Sequence, residues 1–236
     1  MLRPNSGWFD ALPAKRCIAE YSVWSANLIA LDADIARIGS HADIYHIDVA
    51  DGIFAPSLLF FPDLVAALRK QTSIPFHIHL MVDDAVLLSQ IDQFAEAGAD
   101  LISVHVENQN SAKGLARIKA LGLRAGVVLR VETPVAEAAA HIENIDILTL
   151  LGTRIGVKGQ GLDPTAPARL QEASALIAAR HSSTRCVLAA DGGIRAETVP
   201  LLYGAGAETV VLGSLAYGAP DLGNRMAWLH GLKRAE

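Results

Sequence analysis

Polar side chains able to bind a metal or to transfer protons interrupt two short apolar runs of the sequence. His46 and Asp48 stand two residues apart in one run, and His77 and His79 stand two apart in the next. Residues i and i+2 of a strand project to the same side, so each pair presents both side chains to one face. Imidazole beside carboxylate suits a divalent metal or a proton-transfer pair. A histidine merely hydrogen-bonded to its neighbour explains a single His-x-Asp equally well, so the rest of the chain must decide.

The elements that would position these residues alternate between short apolar runs and amphipathic helical stretches. The predicted strands are 18–23, 43–49, 76–80, 101–105, 124–129, 145–150, 186–190 and 209–212. The predicted helices are 32–38, 62–69, 85–97, 111–120, 134–141, 164–180, 196–203 and 221–233. This alternation predicts an α/β fold, a (β/α)8 TIM barrel. A doubly wound sheet would usually carry a glycine-rich turn after its first strand, and the sequence has none there.

Polar residues collect where the predicted strands end. In a (β/α)8 barrel these C-terminal ends open at one mouth and carry the chemistry. His46, Asp48, His79 and Asp191 come from strands two, three and seven and would meet there. Two imidazoles and two carboxylates form a nitrogen and oxygen set suited to Zn²⁺, Fe²⁺, Mn²⁺ or Co²⁺. His77 projects in the same direction as His79, so spacing alone leaves open which of the two is a ligand.

Three glycine-rich turns follow predicted strands six, seven and eight. Barrels often bind a substrate phosphate with the loops after strands seven and eight, where backbone N–H groups converge on the anion. Lys158 would add a positive charge. Isolated glycines are explained by turns that need positive φ, but three adjacent turns favour a phosphate site. The residues expected to bind phosphate are Gly156, Lys158, Gly159, Gln160, Gly192, Gly193, Gly213 and Ser214.

A metal beside two carboxylates and a phosphate site indicates proton abstraction next to a carbonyl group. Carboxylates on opposite faces of a carbon can remove a proton from one face and return one to the other, which is epimerisation through an enediolate. Asp48 and Asp191 are the candidates. An unperturbed aspartate has a pKa of about 3.9 and is a weak base, so the site must tune this pair.

Between residues 18 and 218 the sequence resembles the ribulose-phosphate 3-epimerase family. The matching stretches are SVWSA at 22–26, HIDVADGIFAP at 46–56, HIHLMV at 77–82, FAEAGAD at 94–100, GVVL at 126–129, DGGI at 191–194 and GS at 213–214. Their number and order make the resemblance specific. It implies a ribulose-phosphate-binding barrel that inverts C3 of a ketose phosphate and assembles as a dimer or hexamer.

The resemblance also implies roles for individual residues. His46, Asp48, His79 and Asp191 would bind one divalent metal ion, which selects His79 over His77. Asp48 and Asp191 would double as acid and base, and Ser22 would contact the substrate. The phosphate would be held by Gly192, Gly193, Gly213 and Ser214, with residues 156–160 closing over it.

The sequence departs from the family around the expected substrate. The family usually has Leu where Trp24 stands, Met where Ala50 stands and Asn-Pro in place of Arg130-Val131. Its loop after strand six usually reads Met-Thr-Val-Asn-Pro-Gly-Phe-Gly-Gly-Gln, whereas this chain has LGTRIGVKGQ at 151–160. The positions expected to shape the pocket are Trp24, Ala50, Met81, Arg130, Leu151 and Arg154. These departures predict retained chemistry on a changed sugar, a pentulose, tetrulose or hexulose phosphate. Solvated loop charges explain Arg130 and Arg154 equally well.

Composition narrows the function classes. The 236 residues are 51% hydrophobic with a formal net charge of −5, which suits one barrel over 17–236 after an N-terminal arm, 1–16. Trp8, Phe9 and Leu12 predict that the arm packs on the barrel or on a partner subunit.

Without a basic run, a nucleic-acid partner is not expected. No run reaches the roughly 18 apolar residues that a membrane-spanning helix needs. No leader peptide is indicated at the N-terminus. Cys17 and Cys186 show no pattern typical of disulfides, which fits a reducing cytoplasm.

Two other functions are compatible with the sequence. One is an aldolase- or decarboxylase-type lyase on a related phosphate-binding barrel, which would pass through a similar enediolate. The other is a non-catalytic sugar-phosphate sensor. The Asp48 and Asp191 pair argues against the lyase, which needs no proton transfer on two faces. The complete set of metal ligands argues against the sensor.

Overall fold

Nine short strands, mostly of aliphatic residues, form one sheet in the computed structural model, which describes residues 1–234. They are β1 (Ile18–Ser22), β2 (Ile44–Asp51), β3 (Leu58–Leu59), β4 (Phe76–Met81), β5 (Leu101–His105), β6 (Arg124–Leu129), β7 (Ile147–Leu151), β8 (Val187–Asp191) and β9 (Thr209–Leu212). All except β3 run parallel, and because β1 pairs with both β2 and β9, the sheet closes into a barrel. The predicted (β/α)8 barrel is confirmed, with its eight strands within two residues of their expected ends. Residues 235 and 236 of the predicted barrel domain lie outside the described residues.

Helices connect the strands. They are α1 (Leu31–Ile38), α2 (Pro62–Leu68), α3 (Asp84–Ala97), α4 (Ser111–Ala120), α5 (Ala166–Ala178), α6 (Val199–Gly204), α7 (Ser214–Tyr217) and α8 (Leu222–His230). In the part of the chain that the structure describes, none is long and apolar enough to cross a membrane.

The helix predicted at 134–141 is present as a 3₁₀ helix, Val135–Ala140, and not as an α-helix. A second 3₁₀ helix, Ile142–Asn144, follows before β7 begins. The tighter 3₁₀ geometry suits such short connecting pieces. Three further elements were not predicted from the sequence, namely the 3₁₀ helix Val23–Ser25, α7 and the two-residue β3, which pairs antiparallel with the end of β2.

The register of neighbouring strands places the polar residues at the C-terminal mouth. β2 pairs with β4 so that His46 lies opposite His77 and Asp48 lies opposite His79. The intervening Ile47 joins the apolar layer with the helices, as strand alternation requires. Barrel closure and alternation together therefore direct the imidazoles and carboxylates inward.

The N-terminal arm, residues 1–16, covers the opposite end of the barrel. Phe9 is 1% exposed and packs with Leu12 against strand residues such as Ile18, Ile44 and Leu101. The Arg124 guanidinium lies 4.8 Å from the centre of the Phe9 ring. The arm thus packs on the barrel of its own chain and leaves the C-terminal mouth open.

We expect Phe9→Ala to lower the free energy of unfolding by about 3 kcal/mol, because it removes a buried ring and leaves a cavity at the base of the barrel. Chemical denaturation measures this loss. The matched control is Leu2→Ala, which removes a side chain of a residue that is 48% exposed and should change stability by less than about 0.5 kcal/mol. A loss in Phe9→Ala no larger than that in Leu2→Ala would show that the buried Phe9 ring does not stabilise the barrel.

Candidate active site

Four potential metal donors meet at the C-terminal mouth, contributed by His46, Asp48, His79 and Asp191. Nε2 of His46 lies 3.2 Å from Oδ1 of Asp48 and 3.4 Å from Nδ1 of His79. Oδ2 of Asp191 lies 3.8 Å and 3.7 Å from these two nitrogens, respectively. Donors about 2.1 Å from one tetrahedral ion are about 3.4 Å apart, so the set fits one divalent ion.

The structure separates the two histidines of β4. Nδ1 of His79 lies 3.3 Å from Oδ1 of Asp48 and faces the other donors. His77 lies deeper, where Nδ1 is 2.5 Å from Oε1 of Glu20 and Nε2 is 2.6 Å from the Ser103 hydroxyl. The four-donor cluster therefore contains His79 and not His77.

The two aspartates differ electrostatically. Burial opposes ionisation of Asp48, but the neighbouring His46 and His79 hold its pKa well below the usual range. The Ser22 hydroxyl also donates to Oδ2 of Asp48 at 3.0 Å. Burial raises the pKa of Asp191, and the Asp48 charge raises it further against the opposing effect of His46. The two carboxylates therefore differ in their readiness to hold a proton, with Asp48 favoured in the ionised form and Asp191 more easily protonated.

His79 is linked to the Glu107 carboxylate through the ring of His105. Nδ1 of His105 lies 2.9 Å from Oε2 of Glu107, and Nε2 of His105 lies 2.9 Å from Nε2 of His79. Burial lowers the pKa of His105 to about 4, so this ring is neutral near pH 7. If Glu107 accepts Nδ1–H of His105, Nε2 of His105 accepts Nε2–H of His79. His79 then presents an unprotonated Nδ1 to the donor cluster.

Glu20 is the buried acid that the sequence analysis missed. It is fully buried in β1, with Oε1 2.8 Å from Nδ1 of His46. The available signal was a charged residue inside an otherwise apolar strand, two positions before Ser22 and therefore on the same face.

A cavity of about 400 Å³ opens above the donors, and Asp48, His79 and Asp191 form part of its wall. All the residues expected to contact substrate or phosphate line it, namely Ser22, Gly156, Lys158, Gly159, Gln160, Gly192, Gly193, Gly213 and Ser214. Trp24, Met81, Leu151 and Arg154 line it as well, together with Thr153, Ile155 and Arg195, which were not anticipated.

Two positions expected to shape the pocket lie outside this cavity. Ala50 packs with Ala55 and Met81 in a small apolar cluster. Arg130 donates from Nη2 to the Phe54 carbonyl at 2.9 Å, and its guanidinium lies 4.1 Å from the centre of the Phe54 ring. Arg130 therefore stabilises the loop after β2 through Phe54. It does not line the cavity, which corrects the expectation that it does.

Glycine is required where β8 meets the cavity. Gly192 and Gly193 have φ values of +87° and +70°, a conformation that side chains disfavour. A Cβ at Gly193 would also lie 2.7 Å from Cα of Leu162. Backbone without side chains lines this part of the wall, which suits anion binding by amide groups.

The loop after β7 is tied across the cavity to the loop after β1. Lys158 donates from Nζ to the Trp24 carbonyl at 2.5 Å, and Nζ lies 4.6 Å from the centre of the Trp24 ring. The Ser57 hydroxyl donates to the Gly156 carbonyl at 2.7 Å. Lys158 makes no ion pair within residues 1–234, so its ammonium group is available to an anionic ligand. These contacts hold the loop over the mouth of the cavity.

Comparison with known proteins gives one consistent family. A family model described as the ribulose-phosphate 3 epimerase family matches residues 18–217. Ribulose-phosphate 3-epimerase of Bacillus subtilis (strain 168) is 34% identical over 214 residues, covering 90% of this chain and 97% of that protein. Ribulose-phosphate 3-epimerase 2 of Cupriavidus necator is 35% identical over 217 residues, covering 87% and 89%.

Two solved structures share the fold at low sequence identity. Orotidine 5′-phosphate decarboxylase from Pyrococcus horikoshii OT3 aligns with a TM-score of 0.65 and 13% identity, over 90% of this chain and 97% of that one. A 3-hexulose-6-phosphate synthase aligns with a TM-score of 0.63 and 19% identity, over 93% and 98%. These similarities concern the barrel and not its activity.

Glu107 should make stability depend on pH. Burial opposes its ionisation, but hydrogen bonds from His105, Thr133 and the Arg130 amide hold its pKa at about 2. Because its folded-state pKa is depressed, its contribution is present above the unfolded-state value of about 4.3 and is lost as the pH falls toward 2. Glu107→Gln should therefore lower the free energy of unfolding by on the order of 2 kcal/mol at neutral pH.

Denaturant titrations across the acid range measure this difference, which should shrink between about pH 5 and pH 3. Glu137→Gln, at an exposed position on the 3₁₀ helix Val135–Ala140, is the matched control and should have little effect at any pH. A Glu107→Gln deficit that stays constant across this range would contradict the assignment.

Proposed function

Because the chain belongs to the ribulose-phosphate 3 epimerase family and is an isomerase, we propose that it inverts C3 of a ketose phosphate at this site. The observation that carries the proposal is the position of Asp48 and Asp191, which lie together beneath a cavity among two imidazoles. Two carboxylates at one reacting carbon provide the two-faced proton transfer that inversion requires.

We infer that His46, Asp48, His79 and Asp191 hold one divalent metal ion. The spacing of their donor atoms and the mixed nitrogen and oxygen set support this assignment, and Zn²⁺, Fe²⁺, Mn²⁺ and Co²⁺ all suit it. When bound, the ion supplies Lewis-acid stabilisation of negative charge on the substrate oxygens.

The aspartates are assigned complementary proton-transfer roles. Asp48, whose Oδ2 accepts a hydrogen bond from the Ser22 hydroxyl at 3.0 Å, is assigned as the ionised partner that accepts the proton. Asp191 is favoured as the proton donor because burial and the Asp48 charge oppose its ionisation. The roles exchange when the reaction runs in the other direction, since one carboxylate is protonated at each turnover. Proton return to the opposite face gives the epimer through an enediolate.

The phosphate is assigned to the wall after β8 and β9. Gly192, Gly193, Gly213 and Ser214 bring backbone to the cavity there, and residues 156–160 lie over it. Lys158 would replace its contact with the Trp24 carbonyl by one with an oxygen of the bound anion. Closure by this loop also excludes water from the reacting carbon.

The sugar itself is proposed to differ from ribulose 5-phosphate. Trp24 places an indole in the cavity wall, and Arg154 and Lys158 bring charge to the overlying loop. Compared with the usual family residues, the larger side chain and the added hydrogen-bond donors change the shape and polarity of the cavity wall that contacts the sugar hydroxyls. A related pentulose, tetrulose or hexulose phosphate would suit this altered wall.

Two further properties are proposed. Ile53, Leu58 and Phe61 are 77%, 81% and 59% exposed, which supports a homo-oligomer that covers them, a dimer or hexamer.

Cys17 and Cys186 are both buried free thiols, which supports a reducing compartment such as the cytoplasm.

Proton transfer can be followed by deuterium entry at C3 in D₂O. We expect the metal-loaded protein to exchange and invert C3 of a ketose phosphate, and Asp191→Asn to lose at least about 100-fold in rate because the second face lacks its acid. NMR with metal analysis of each sample measures both. Asp10→Asn, at the far end of the barrel, is the control and should retain full activity. An Asp191→Asn variant that still inverts C3 at the normal rate would contradict the assigned role.

Substrate choice can be measured as kcat/KM over a panel of ketose phosphates. We expect a sugar other than ribulose 5-phosphate to be preferred, and Trp24→Leu to shift the preference toward ribulose 5-phosphate by about tenfold or more. Leu2→Ala, remote from the cavity, should leave the preference unchanged. A clear preference of the unaltered protein for ribulose 5-phosphate would overturn the changed sugar, and cleavage of a carbon–carbon bond would indicate a lyase.

A further inference from the structure

A buried carboxylate stands behind one of the proposed metal ligands. Oε1 of Glu20 lies 2.8 Å from Nδ1 of His46, the ring nitrogen opposite the one that faces the donor cluster. Oε2 of Glu20 accepts from the Thr209 hydroxyl at 3.3 Å. Glu20 does not line the cavity and cannot touch substrate. Its position therefore concerns the histidine and not the reacting carbon.

The hydrogen-bonded chain continues into the barrel interior. Nδ1 of His77 lies 2.5 Å from the same Oε1 of Glu20, and its Nε2 lies 2.6 Å from the Ser103 hydroxyl. Gly126 makes room for that hydroxyl, which a Cβ at this position would overlap. All four members of the chain from Ser103 through His77 and Glu20 to His46 are fully buried. A network fixed at each link holds the Glu20 carboxylate in one orientation.

The same three residues, Glu20, His46 and His77, also offer donor atoms close enough to suggest a second metal site. Their geometry argues against it. One carboxylate oxygen lies 2.8 Å and 2.5 Å from the two ring nitrogens, which are hydrogen-bond distances. Ligands of one tetrahedral ion are about 3.4 Å apart, as they are in the four-donor cluster. The three residues are thus bonded to each other.

We propose that Glu20 is a positioning residue that accepts Nδ1–H of His46 and so fixes the ring with an unprotonated Nε2 toward the metal ion. A neutral imidazole has one protonated nitrogen, and the hydrogen bond at one nitrogen decides which remains free to ligate. The adjacent carboxylate also increases the basicity of the ligating nitrogen. His79 is linked to a different carboxylate through His105, so Glu20 supports only His46 among the two proposed histidine ligands.

This inference rests on the proposed metal site and is tested by ion binding rather than by turnover. Loss of an outer carboxylate from a metal-bound histidine typically weakens metal binding 10- to 100-fold. We expect about a tenfold loss of Co²⁺ affinity in Glu20→Gln and a larger loss in Glu20→Ala, with partial recovery in Glu20→Asp. Visible absorption titration of the full-length protein measures affinity and stoichiometry, and circular dichroism confirms folding.

The matched control is Thr149→Val. Thr149 is also fully buried in the barrel, and its hydroxyl has no hydrogen-bond partner among the described residues. Loss of the Thr149 hydroxyl should leave Co²⁺ affinity unchanged. This variant therefore distinguishes a general effect of altering the barrel interior from a specific effect of removing the Glu20 carboxylate. Glu20→Gln keeps the shape of the side chain and serves as the test if Glu20→Ala does not fold.

The outcomes separate this inference from the proposed function. One Co²⁺ per chain, bound more weakly in Glu20→Gln than in Thr149→Val, supports the positioning role. Equal affinity in both variants, with epimerase activity retained, overturns the role of Glu20 alone. Two ions in the unaltered protein and one in Glu20→Gln would make Glu20 a ligand instead. Absence of Co²⁺ binding by the unaltered protein would overturn the metal site itself and the inference with it.

Discussion

Closure of the barrel is the constraint on which the candidate site depends. None of the four donors is near all the others in sequence, and pairing of β2 with β4 is what sets Asp48 beside His79. The ring of strands continues through β7 and β8, where Leu151 pairs with Asp191. Because register is fixed by main-chain hydrogen bonds, a slip of one residue would turn these side chains away from the mouth.

Burial of several acids in one place is the electrostatic consequence of that closure. Glu20, Asp48 and Asp191 would repel each other in an apolar interior, and imidazoles lie between them. Burial opposes the charged form of His46, but the charge of Asp48, followed by the effect of Glu20, raises its pKa. The proposed divalent ion would therefore displace a proton on binding, which would couple metal binding to proton release.

The chain provides each proposed histidine ligand with a carboxylate, by separate routes. Glu20 contacts Nδ1 of His46 directly, whereas Glu107 reaches His79 through the ring of His105. Consequently the two rings offer different atoms to the same cluster, Nε2 from His46 and Nδ1 from His79. This arrangement allows adjacent parallel strands to contribute ligands from positions that are not at the same height in the barrel.

Sequence predicted those features of the fold and the site that depend on short-range patterns of residue types. Strand alternation indicated the inward direction of His46 and Asp48, and the order of strand ends indicated which polar residues share a mouth. A charged residue in an apolar strand marked Glu20 as unusual, but its partner His46 is set by the pairing of β1 with β2, which the local sequence does not reveal. The position of Arg130 depended on its stacking on Phe54, a side-chain choice made in the folded chain. The 3₁₀ geometry of Val135–Ala140 was likewise missed, because it differs from an α-helix in which main-chain groups are hydrogen-bonded, and side-chain spacing does not record this.

The central claim is that Asp48 and Asp191 serve opposite faces of one carbon beside a single metal ion. A crystal structure of the metal-loaded protein with a polyol phosphate, the unreactive reduced form of a ketose phosphate, tests it most directly. We expect one ion bound by the four donors and a carboxylate oxygen on each face, within about 3.5 Å of the carbon that corresponds to C3. Both carboxylates on the same face, or an ion bound by other residues, would contradict it.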